Sequence, residues 1–138
     1  MRRPYRAESL RWLTQARDEF EDAEELRKRG RFYLALFHFQ QATEKAFEAY
    51  LYLEVKSVEV FHTHSVDELS STAVKIDADF KRVASAKKLD RFYIPTRYPN
   101  GLPGGVPSRY FDDPKEAEEA MRLAKNVIDS IETKMEGD

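Results

Sequence analysis

The sequence predicts an all-α protein: an antiparallel up-and-down helical bundle of four main helices plus one shorter helix. Three observations carry that expectation. Helix breakers are segregated. Of 5 Gly and 6 Pro, eight fall between Pro95 and Pro114, and only Pro4 and Gly30 stand upstream of Pro95. A long stretch with so few breakers and many Ala, Glu, Lys and Leu favours helix. Apolar residues recur at three- and four-residue spacing, and capping signals stand where those patterns begin and end. Helices joined by mostly short connections pack as antiparallel neighbours.

The first helix is expected over about 8–29, with Leu10, Leu13, Ala16, Phe20 and Ala23 on one face and charged residues on the others. Gly30 suits the left-handed position that closes a helix, because it has no Cβ to clash. The second helix, about 32–55, is apolar on nearly all sides, which marks the central, most buried element. A short loop over 56–64 follows. Ser65 and Glu68 then form an S-x-x-E capping box, and Val66, Leu69, Ala73 and Ile76 give the third, shorter helix its stripe. A fourth helix over about 79–93 places Phe80, Val83, Ala84 and Leu89 inward. The loop over 94–112 is long for a compact domain, and such loops are often functional. In the last helix Asp113 is the N-cap, Pro114 suits the first helical position and Glu116 completes a box. Ala117, Ala120, Met121, Ala124, Val127, Ile128, Ile131 and Met135 recur behind it.

At 138 residues the chain is expected to form one domain, 1–138. Hydrophobic residues at 41% are too many for a disordered chain, and a net charge of −2 excludes a strongly basic nucleic-acid coat. No cysteine is present, so a disulfide framework, a thiolate zinc site and a Cys nucleophile are excluded. No apolar run approaches the roughly 18–20 residues that span a bilayer. The basic start, Met1 to Arg6, is not followed by an apolar signal core. A cytoplasmic location away from the membrane is therefore expected.

The near-zero total hides a segregation. From Lys81 to Tyr110 there are seven basic residues and one acid, whereas from Asp112 to the end there are nine acids and four bases. The basic segment is interleaved with Phe92, Tyr93, Tyr98, Tyr110 and Phe111. Cations neutralise phosphates and aromatic faces stack bases, so this mixture suits single-stranded RNA or a nucleotide. The alternative is that the rings anchor a loop and the charges are solvated. Arg97 stands before Tyr98-Pro99-Asn100, where an arginine held on a turn binds phosphate, or else pairs with a helix carboxylate such as Glu44. Gln41, Lys45 and Glu48 share a face of the second helix, with Glu44 beside them; these residues form an internal network or line a cleft. His62-x-His64 lacks a third ligand for a metal, and His64 reads as a helix-entry residue. His38 reads as a core residue. Pro103-Gly104-Gly105-Val106-Pro107 lacks the spacing of a phosphate loop and reads as a flexible connector.

Taken together, Trp12-Leu13-x-x-Ala16, Gly30-x-x-Tyr33, Phe37-His38-x-Gln40-Gln41-Ala42-x-Glu44-Lys45-Ala46, His64-x-x-x-x-Leu69, Arg97-Tyr98-Pro99 and Asp113-x-x-x-Ala117-x-x-x-Met121-x-x-Ala124 resemble the HEPN domain family (higher eukaryotes and prokaryotes nucleotide-binding). The resemblance runs over nearly the whole chain. It implies a helical bundle that binds a nucleotide or single-stranded RNA, forms a homodimer, and works with a minimal nucleotidyltransferase partner in a toxin–antitoxin type of system, with no cofactor and no metal. It puts Gln41, Glu44, Lys45, Arg91, Arg97 and Tyr98 forward as ligand-binding residues. Many members are also metal-independent ribonucleases whose motif is an Arg followed four to six residues later by a His. No His follows His64 here, so that pair is absent from the chain. A divergent endoribonuclease would use Arg97 with a His from another helix, His38 or His64. The remaining alternative is a non-catalytic dimeric interaction module.

Overall fold

The computed structural model describes residues 3–137; Met1 and Arg2 of the basic start and Asp138, the last acid of the charge pattern, lie outside them. The helices are α1 (Arg3–Lys28), α2 (Phe32–Val55), α3 (Val66–Ile76), a long 3-10 helix (Ala78–Phe92), α4 (Pro107–Tyr110) and α5 (Pro114–Glu136), with short 3-10 turns at Val58–His62 and Pro99–Gly101. The described residues contain no strand. The fold is the expected all-α helical bundle.

Ring contacts fix the pairing of α1 and α2. Tyr5 meets Tyr52 and Phe20 meets Phe39, so the two helices run antiparallel. Gly30 makes the turn between them at φ +76°. The segment 56–65 then doubles back along α2, and α3 descends beside the C-terminal half of α2. The long 3-10 helix returns antiparallel to α2, with Phe80 against Phe47 and Tyr50 and Tyr93 against Phe37. α5 runs antiparallel to it, tied by Lys134 to Asp77 and Asp79 at one end and by Arg91 to Glu116 at the other. At the Arg91 end the basic segment thus faces the acidic helix, with Lys88 4.0 Å from Glu119, whereas at the Lys134 end the polarity is reversed.

α2 packs against α1, α3, the long 3-10 helix, α4 and α5, as its all-round apolar character requires. Leu36, Phe39, Phe47, Leu51 and Leu53 are fully buried. Each such side chain contributes roughly 1.5–3 kcal/mol by leaving water.

Several local expectations are corrected. α1 starts earlier than the apolar stripe suggests, because Pro4 is tolerated in a first helical turn. Its stripe is also rotated: Leu10 is 41% exposed and Ser9 is buried in line with Ala16, Phe20 and Ala23. The fourth helix is 3-10 over 15 residues, where such runs are usually three or four residues long. Its buried residues are Phe80, Val83, Ala86, Leu89 and Phe92, every third position, whereas Ala84 is only half-buried. A period of three matches the 3-10 turn and keeps all five on one line. The stretch 94–112 is not a free loop. It carries the Pro99–Gly101 turn and α4, and it buries Thr96, Pro107 and Phe111.

The caps form with one substitution of partner. Ser65 Oγ accepts from Glu68 N, but the return contact runs through Thr63, whose Oγ1 accepts from Ser65 N and donates to Glu68. Asp113 accepts from Lys115 N, while Glu116 faces Arg91 and does not complete a box.

Candidate functional site

The chain leaves the long 3-10 helix at Phe92 and turns tightly. Arg97 N donates to Ile94 O at 3.0 Å, and Thr96 Oγ1 donates to Phe92 O. This turn folds Arg97 back over its own platform. Its Nε donates to Tyr93 O at 2.8 Å. Its guanidinium carbon lies 4.5 Å from the Tyr93 ring centre, 4.7 Å from that of Phe37 and 5.0 Å from that of Tyr98. Phe37, from α2, and Tyr93 are themselves 6.3 Å apart and nearly parallel. Attraction between a guanidinium and ring faces orients the arginine without neutralising it. Arg97 has no ion-pair partner among the described residues, so the pairing with Glu44 is not formed.

Glu44 is committed elsewhere. It is buried on α2, with Oε1 3.0 Å from His64 Nδ1 and Oε2 accepting from Gln40 (3.1 Å) and Gln41 (3.3 Å). The His64 ring stacks on Tyr93 at 5.6 Å and 14°. Tyr93 therefore carries Arg97 and His64 together. The backbone under His64 is fixed by Asp90, whose carboxylate accepts from Ser65 Oγ, Val66 N and Asp67 N at the start of α3 and also meets the Gln40 amide.

A second polar cluster lies on the α1 side of α2. Glu19 of α1 is 2.7 Å from His38 Nδ1 and 2.9 Å from Lys45 Nζ. Burial pushes the Glu19 carboxyl up, but the hydrogen bonds from His38 and Lys45 outweigh it and hold the group below its ordinary value. Lys45 also reaches Gln41 Oε1 at 3.5 Å, which links the two clusters. His38 touches Phe37 edge-on at 5.1 Å, so it borders the Arg97 stack while its Nδ1 is held by Glu19.

Of the sequence candidates, Arg97 and Tyr98 meet at the stack, Gln41 and Glu44 form the network beside it, and Lys45 and His38 stand one layer behind. Arg91 stands apart, over the Phe92 ring at 4.8 Å and facing Glu116 of α5. Glu48 turns inward, 3% exposed. Burial, with the Glu44 charge as the next cause, pushes its carboxyl up to about 8. His62 lines the same cleft of about 640 Å³ as His64, between the Val58–His62 turn and α3. No group of three or more His, Asp or Glu is placed to hold a metal among the described residues. Sequence reasoning missed the platform role of Phe37 and Tyr93 and the anchoring by Asp90. The signal for Phe37 was its position four residues before Gln41, on the same helical face.

The fold defines an all-α helical-bundle protein whose central helix supplies Phe37 to the stack around an arginine and sets Gln41 and Glu44 in a polar network. The model of the HEPN domain family matches residues 9–134, and the chain belongs to that family. It is similar to TT1696 from Thermus thermophilus, at 32% identity and a TM-score of 0.78, over 91% of this chain and 97% of that one. It is also similar in fold to ST0689, an archaeal HEPN homologue, at 23% identity and a TM-score of 0.71, over 92% of this chain and 97% of the other. No protein with a curated description matches. No described helix is long and apolar enough to cross a membrane.

Proposed function

We propose that this chain is a single nucleotide- or RNA-binding HEPN domain whose ligand phosphate is held by Arg97, with bases stacking on the exposed Tyr98. The observation that carries the reading is the guanidinium of Arg97, stacked among Phe37, Tyr93 and Tyr98 and free of any carboxylate among the described residues. A cation kept oriented and unneutralised beside aromatic faces suits a phosphate with a base attached. Domains of this family commonly dimerise and bind nucleotides. A homodimer, and a minimal nucleotidyltransferase partner of toxin–antitoxin type, complete the proposal. Binding of a fluorescent single-stranded RNA, titrated against salt, tests it. Arg97→Ala should weaken binding and flatten the salt dependence by roughly 0.7 in log–log slope, the value for one phosphate contact on a single strand. Unchanged binding in the variant removes Arg97 from the site.

A second reading, a divergent metal-independent endoribonuclease, is favoured by the contact between His64 Nδ1 and the buried Glu44 carboxylate. That contact leaves Nε2 as a base on the Tyr93 ring that also carries Arg97. In such a step Nε2 takes the 2′-hydroxyl proton, the 2′-oxygen attacks phosphorus, and the bond to the 5′-oxygen breaks as that oxygen takes a proton from water. Cleavage in the presence of chelator that disappears in both Arg97→Ala and His64→Ala supports it. Absence of cleavage and of binding in the wild type favours a dimeric interaction module.

A further inference from the structure

His64 is anchored at one ring nitrogen and open at the other. Nδ1 lies 3.0 Å from the buried Glu44 carboxylate, whose second oxygen is already held by Gln40 and Gln41. Against a carboxylate, Nδ1 is the donor, which fixes the tautomer of the neutral ring. The side chain is 62% exposed, flat on Tyr93 and at the edge of the 640 Å³ cleft. While the ring is neutral, Nε2 presents a lone pair, which repels a phosphate oxygen. Only the imidazolium has a hydrogen to donate there.

We propose that His64 is a second phosphate ligand on the Tyr93 ring it shares with Arg97, engaged only as the imidazolium, so that ligand binding at this site takes up a proton. The charge balance points the same way. A protonated His64 is matched at Nδ1 by the Glu44 carboxylate, and its Nε2–H is left for the ligand. The other groups facing His64 are already engaged or stand at the cleft rim. Asp90 of the long 3-10 helix is bound to the start of α3, and Glu68 of α3 accepts from Thr63. Glu59 and His62 of the Val58–His62 turn line the cleft, and Tyr93 lies beneath the ring. This inference rests on Arg97 being a phosphate-binding residue.

The test uses a fluorescent 2′-O-methyl oligouridylate, which is immune to 2′-hydroxyl cleavage, with affinity measured at pH 5.5 and pH 7.5. Wild type should bind at least about fivefold tighter at the lower pH, as expected when a histidine must gain a proton. In His64→Gln that ratio should fall toward one. Calorimetry of the wild type in buffers of different ionisation enthalpy should show proton uptake at pH 7, a readout that needs no variant to fold. Equal affinity at both pH values, no proton uptake, or an undiminished ratio in His64→Gln overturns the inference while the Arg97 reading stands. No binding at either pH overturns the Arg97 reading and this inference with it.

Discussion

Arg97 and Tyr93 are joined twice: the guanidinium lies 4.5 Å from the ring centre, and Nε donates to the tyrosine's own carbonyl at 2.8 Å. The ring contact alone depends on the tyrosine side chain. Tyr93→Leu should therefore weaken RNA binding in wild type but add little in an Arg97→Ala background. A double-mutant cycle on binding should return a coupling of about 1 kcal/mol. A coupling near zero would show that the stack does not orient the arginine.

Glu48 sets a pH dependence of stability. Its carboxyl is pushed up to about 8 in the fold, from an ordinary 4.5. Between those values the unfolded chain has released the proton and the folded chain keeps it, so stability falls as pH rises through that window and the loss is complete above about 8. The loss is of the order of a few kcal/mol. Thermal unfolding should show a lower Tm at pH 9 than at pH 5, and Glu48→Gln should remove most of that difference by raising the value at pH 9.

Asp90 caps a helix from a distance. It accepts from Ser65 Oγ, Val66 N and Asp67 N. Asp90→Ala strands those donors and should cost about 2 kcal/mol in urea unfolding. Asp90→Asn keeps one acceptor oxygen and should cost roughly half as much. Equal stability of all three proteins would show that water replaces the carboxylate.

The Val58–His62 turn buries none of its own residues and is held by a ring stack. Phe61 lies 4.2 Å from Trp12, nearly parallel, and 5.1 Å from Tyr52. Trp12→Ala should speed amide hydrogen exchange across 58–62 while the α2 amides keep their protection. Uniform loss of protection would instead mark Trp12 as a member of the core.

What was legible in the sequence was local. The Gly30 turn, the Ser65 and Asp113 caps and the α5 stripe each depend on residues within a turn or two of one another. The platform under Arg97 was not legible, because Phe37 arrives from α2 and meets Tyr93 only after the bundle closes. The capping of α3 by Asp90 and the contact of Glu44 with His64 are invisible for the same reason. The period of three at Phe80, Val83, Ala86, Leu89 and Phe92 stood in the sequence. Read at 3.6 residues per turn, it put Ala84 inward and left out Ala86 and Phe92.

That period also restricts how the segment can change length over evolutionary time. A 3-10 helix completes a turn in three residues and rises about 2.0 Å per residue, so Ala78–Phe92 covers about 30 Å where an α-helix would cover about 22 Å. Deleting or duplicating one triplet returns every buried side chain to the core line. Gaining or losing a single residue swings one end of the line by a third of a turn and carries Tyr93 away from Phe37. Relatives that share this helix should differ in length here by whole triplets, a grammar that α1, α2 and α5, with 3.6 residues per turn, do not impose.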